Sequence, residues 1–130
     1  MKRSDGFTVI EIIVAILFLG AVTAILLIQK GDLSAVTRDN ERKAAINAMY
    51  YNLEEVYYPK NGFYPSAIDS KTLAAMDPSL FTDPNGVALG KANSNYRYDG
   101  TDCTNNQCKS YTLRAKLEKE ADYIKTSSNK

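Results

Sequence analysis

Residues 7–28 read FTVIEIIVAILFLGAVTAILLI, 22 positions carrying one charge, Glu11. A helix of that length spans about 33 Å at 1.5 Å per residue, enough for the hydrocarbon core of a bilayer. Lys2 and Arg3 precede the run. By the positive-inside rule they hold the N-terminus in the cytoplasm and send the rest of the chain across the membrane. Lys30 and Asp32 nearly cancel and do not oppose that orientation. An uncleaved anchor fits this hydropathy. A secretory signal cut among the small residues Ala21 to Ala24 is the alternative, although such signals carry only about 7–15 apolar residues.

Glu11 is the residue that hydropathy does not explain. A carboxylate at the centre of an apolar span costs about 2.5–3.5 kcal/mol, and less near an interface, so it marks a functional position by default. The plainer reading places it in the first helical turn, where it suits the helix dipole and can reach the headgroups.

The remaining composition narrows the function classes. The chain has 130 residues, room for one domain, with 16 basic and 15 acidic residues and a net charge of +1. Those charges are spread rather than clustered, which argues against a nucleic-acid stripe. Histidine is absent, removing the commonest general base and metal ligand. No nucleophile–base pair, metal cluster or phosphate loop stands out, so neither enzymatic activity nor a cofactor or metal is expected.

Beyond the apolar run, Ile46, Met49, Tyr50, Leu53, Val56 and Tyr57 recur at three- and four-residue spacing, an amphipathic helix whose stripe packs on a core. Arg38, Asp39, Glu41, Arg42, Lys43, Glu54 and Glu55 fall mostly off that stripe, and Pro59 is expected to end the helix. Pro59–Gly62 and Asp83–Gly86 read as turns, with a short helix over Ser70–Met76 capped by Asp69 or Ser70. Tyr96 and Tyr98 flank Arg97, and Tyr111, Leu113, Ala115 and Leu117 alternate with polar residues, the period of a half-buried strand. A weaker strand lies around Ala121–Lys125. The expected fold is α+β: a long N-terminal helix packed on a small antiparallel sheet of about three strands.

Cys103 and Cys108 have four residues between them. In an exported head a disulfide is permitted there and would pin the hairpin between the first two strands. Two free thiols are the alternative, and a metal site would need two further ligands. Asp99, Asp102, Asn105 and Asn106 around the cysteines read as a solvated turn, since their spacing does not match an EF-hand loop.

The run Met-Lys-Arg-Ser-Asp-Gly6 followed by Phe7-Thr8-Val9-Ile10-Glu11 resembles the class III signal of type IV pilins and type II secretion pseudopilins. Asn61-Gly62-Phe63-Tyr64-Pro65 is also similar to the segment after the helix in pseudopilins and small pilins. The resemblance implies a leader, residues 1–6, cut between Gly6 and Phe7 by a prepilin peptidase, with N-methylation at Phe7. Glu11 then becomes the fifth mature residue and pairs with the new amine of its own or a neighbouring chain. It implies a pilin-like helix over 7–58, with 7–28 in the membrane or filament core and 29–58 amphipathic, and a head over 59–130. Implied partners are further copies in a helical homopolymer, the prepilin peptidase, the pilus assembly platform and the cytoplasmic membrane before assembly. The implied function is a major or minor subunit of a type IV pilus, extracellular once assembled, serving adhesion, motility or DNA uptake. A major pseudopilin of type II secretion is the alternative; such subunits bind calcium in a C-terminal loop not recognisable here. Gly20 matches a small residue common in pilins and serves either local extension or close helix packing. Ile28 stands where many relatives have Pro, which departs from a Pro-kinked core.

Overall fold

The computed structural model describes residues 6–129; residues 1–5 of the expected leader, including Lys2 and Arg3, and Lys130 lie outside the described residues. Helix α1 runs from Val9 to Tyr51. Thr8 precedes it, and its carbonyl accepts from the Glu11 and Ile12 amides at 3.0 and 3.2 Å. The contacts divide the chain into two units, one up to Ala35 and one from Val36 onward.

In the first unit α1 passes through Gly20, Ile28, Gly31 and Asp32 without a break. The stretch contains no Pro, and long apolar side chains lose little rotamer freedom in a helix. Thr23 and Ser34 turn their hydroxyls onto the carbonyls four residues back, Leu19 and Lys30, at 2.8 and 3.0 Å. Phe7, Ile10, Leu17, Phe18, Leu27 and Ile28 are among many large apolar side chains left exposed along this unit.

In the second unit the helix carries the core stripe. Ala45, Ile46, Met49 and Leu53 are buried against Tyr64, Tyr96, Tyr111, Leu113 and Ala115. The stripe does not continue at a 3.6-residue period, because Asn52–Tyr57 is a π-helical turn. Asn52, Leu53 and Glu54 are consequently all buried, three consecutive positions that a single α-helical face does not accommodate. Glu54 therefore lies inside, against expectation, as do Asp39 and Arg42, two turns and one turn before Ile46.

The helix also outlasts Pro59. A last turn, α2 (Tyr58–Asn61), follows the wider π segment, with Pro59 in its first turn, a position that tolerates Pro. Gly62 stops it. At φ 74° Gly62 adopts the left-handed cap and donates its N–H to the Tyr58 carbonyl at 2.8 Å.

The sheet has four antiparallel strands, β1 (Tyr64–Pro65), β2 (Tyr96–Thr104), β3 (Gln107–Ala115) and β4 (Tyr123–Thr126). β3 is central, flanked by β2 on one side and by β1 and β4 on the other. β1 is the strand the sequence did not announce, two residues being too short for any alternation. The long helix thus packs on a small antiparallel sheet, as the α+β pattern required.

β2 and β3 join through Asn105 and Asn106, both at positive φ (51° and 65°), the signature of a two-residue type I′ turn. Alternation holds from Tyr111 to Ala115 but slips before it: Cys108 and Tyr111, three apart, are both buried. A matching irregularity sits opposite at Asp102, whose φ is 53°. The register is kept across both irregularities, and the directly opposed Cys103 and Cys108 are joined as a disulfide.

Between β1 and β2 the chain is held by turns. Asp69 caps Lys71 and Thr72 through their amides (2.9 and 2.7 Å), but Ser70–Met76 forms turns and not a helix. The short helix lies further on, a 3-10 turn at Pro78–Phe81 capped by Asp77. Asp83–Gly86 is a turn as expected, closed by Gly86 N–H on the Asp83 carbonyl at 2.7 Å.

Candidate functional site

The sequence-predicted assembly residues occupy the start of α1. Phe7 is 79% exposed, and Glu11 is exposed one turn further on. The Glu11 carboxylate reaches back to the Thr8 backbone N–H at 3.4 Å. Thr8-Val9-Ile10-Glu11 is thus half of a capping box, a Thr-x-x-Glu signature that could have been read from the sequence. Phe7, Glu11, Ile12, Ala15, Ile16 and Leu19 line a shallow, almost wholly apolar groove of about 350 Å³. Glu11 is its one charged member. Nothing in this unit covers the apolar surface, and α1 is long and apolar enough to cross a bilayer.

The head contains two buried polar clusters, neither anticipated from the sequence. In the first, Arg42, 1% exposed, donates to Asp83 at 2.8 Å and to Asp39 and Glu118 at 2.9 Å each. Asp39 also accepts from the Glu118 and Lys119 amides, at 2.8 and 2.9 Å. Asn95 donates to Asp83 at 2.8 Å, and Arg38 closes on Glu118 in a two-bond fork at 2.8 and 2.6 Å. Burial opposes ionisation of Asp39 and Asp83, yet hydrogen bonds outweigh it: the two amides and Arg42 for Asp39, Asn95 and Arg42 for Asp83. Both carboxyls titrate below their ordinary 3.8. Glu118 falls from 4.5 to about 2, chiefly through the Arg38 fork.

The second cluster centres on Glu54. Its carboxylate accepts from Tyr64 Oη at 3.0 Å, Tyr111 Oη at 2.8 Å, Asn129 Nδ2 at 3.1 Å and both the amide and hydroxyl of Ser128. Five donors from three segments satisfy this carboxylate, and none of the ion pairs among the described residues includes it. Burial, reinforced by Glu54, raises the Tyr64 hydroxyl to about 12 and drives the Tyr111 hydroxyl up as well. The sequence signal was slight: a Glu beside Leu53 becomes an inward residue only once the π turn is known.

Both clusters bind chain to chain. The first ties α1 to the Asp83 turn and to the link between β3 and β4; the second ties the π turn to β1, β3 and the C-terminal residues. The residues read as a solvated turn serve similar ends: Asp99 pairs with Arg97 at 3.0 Å, and Asn106 accepts from Ser66 at 3.2 Å.

Comparison with family models, with curated proteins and with solved structures finds no match for this chain.

Proposed function

We propose that this chain is a structural subunit that polymerises into a type IV pilus-like filament after cleavage between Gly6 and Phe7. The observation that carries the reading is the contrast within α1: from Val9 to Ile28 its apolar side chains are exposed, whereas from Val36 it is integrated into a head with its own core. A bare apolar helix is satisfied by lipid and by other copies of itself, in turn. Glu11 is the register device. Once cleavage frees an amine at Phe7, a carboxylate one turn away neutralises it, or neutralises a neighbour's in a water-poor bundle where an unpaired charge is penalised. Subunits out of register leave both charges unpaired, so the pair selects register more than it adds stability.

A disulfide at the hairpin tip and two buried polar networks support a head suited to the cell exterior. Mass spectrometry of the chain from its native cells tests the reading. The expected mature mass lacks Met1–Gly6 and carries one added methyl at Phe7. Retention of the leader refutes the reading. Glu11→Ala should still insert in the membrane yet fail to yield surface fibres on shearing.

A further inference from the structure

We propose that β2 is a self-recognition edge, pairing antiparallel with β2 of a second copy of this chain about a two-fold axis at Tyr98. β3 covers only one side of β2, which leaves a nine-residue strand at the margin of the sheet. Long open edges recruit further strands unless something blocks them. Tyr96, Tyr98 and Asp99 form one wall of a groove of about 380 Å³, shared with Ile68 and Leu89, that opens to solvent beside the strand.

The hydrogen-bond phase fixes which groups are on offer. Lys116 N–H donates to the Asn95 carbonyl at 2.8 Å, so in this register Asn95, Arg97 and Asp99 turn their backbone groups toward β3. Tyr96, Tyr98 and Gly100 turn theirs outward. Ser94 Oγ accepts the Tyr96 N–H at 3.1 Å, leaving the Tyr98 and Gly100 amides and the three carbonyls for a partner strand.

Charge then selects the register. On the exposed face Arg97 and Asp99, 64% and 52% exposed at their side chains, already pair at 3.0 Å within the strand. An axis at Arg97 would oppose two arginines, and one at Asp99 two aspartates, both unfavourable. An axis at Tyr98 sets Arg97 against Asp99 of the other copy twice over, and brings Tyr98 onto Tyr98 and Tyr96 onto Gly100 as hydrogen-bonded pairs. One strand supplies both halves of a complementary pattern, which a self-complementary two-fold interface requires. Such a contact closes after two subunits and cannot propagate a fibre, so it stands apart from helix-driven polymerisation and does not depend on it.

The test uses the full chain in detergent micelles. Hydrogen exchange should show the Tyr98 and Gly100 amides gaining protection as protein concentration rises, while the Arg97 and Asp99 amides are protected at every concentration. Sedimentation should show Arg97→Asp and Asp99→Arg each weakening the dimer at least tenfold and the double swap, R97D with D99R, restoring it. Both positions are exposed, so folding survives the exchange. Concentration-independent exchange at Tyr98 and Gly100 overturns the proposal, even if the micelle holds dimers through α1. So does a double swap no tighter than the single variants.

Discussion

The two stretches of α1 on either side of residue 35 obey opposite rules under one backbone geometry. Up to Ile28 the helix is apolar but for Glu11, whose carboxylate accepts from the Thr8 backbone amide beside its first turn. From Val36 it buries Asp39 and Arg42, the π turn that follows it buries Glu54, and each of the three is held by hydrogen bonds. The first stretch is incomplete alone and takes its stability from whatever surrounds it. The second is self-sufficient, its polar groups having been withdrawn from solvent into networks that fix how the segments meet. A subunit of the proposed filament needs both properties, and they lie in separate stretches of one helix.

The sharpest way to break this contrast is to remove the hub cation. Arg42→Ala leaves Asp39 and Asp83 buried without their partner and should lower head stability by about 3–5 kcal/mol. Urea unfolding followed by tyrosine fluorescence reads it; a loss under 1 kcal/mol would mean that the cluster is a bystander.

Glu54→Ala strands the Tyr64 and Tyr111 hydroxyls and should cost about 1–3 kcal/mol. It should also release Ser128 and Asn129, seen as faster amide exchange at the C-terminus. Unchanged protection there would separate the C-terminal residues from the π turn.

Gly100→Ala tests the hairpin. A Cβ at Gly100 would lie 2.7 Å from Cys108 Sγ and 3.1 Å from Cys103 Sγ, so the disulfide occupies the space a side chain would need. Overpacking of this kind costs about 1–3 kcal/mol. In a Cys103→Ser, Cys108→Ser background the penalty should shrink; an equal penalty there would locate the strain elsewhere. Reductant alone should lower the melting temperature of the head.

Acid should act on the head specifically. Asp39, Asp83 and Glu118 have folded-state pKa values below their unfolded ones, so their contribution is complete above the unfolded values and is lost as pH falls. For Glu118 the window runs from 4.5 down to about 2. Melting temperature against pH should decline there for the wild type, and less steeply in Glu118→Gln.

The smallest effect belongs to the bare stretch. Leu17→Ser, at a 69% exposed position, should leave head stability within about 0.5 kcal/mol while weakening assembly. A destabilised head would mean that the two stretches are coupled.

Much of the fold was legible because it rests on local pattern. Leu113 and Ala115 alternate as a strand should, and Ile46, Met49 and Leu53 form the stripe that covers them. The cysteine spacing anticipated a hairpin staple. β1 was illegible because two residues carry no period, and the Ser70–Met76 segment stops at a capped turn despite its helical composition. The burial of Asp39, Arg42 and Glu54 went against residue type, and their mutual neutralisation depends on Asp83, Glu118 and Ser128, distant in the chain.

What the sequence determined by itself is the apolar run, its lone Glu11 and the alternation of β3, since each is a statement about neighbours within a few residues. Only the tertiary structure decided that a π turn rotates Glu54 inward, that Arg42 gathers Asp83 and Glu118, and that β2 is left as the open edge. The reason is common to all three. Each is a choice among locally similar conformations, and the free energy that makes the choice comes from contacts many residues away.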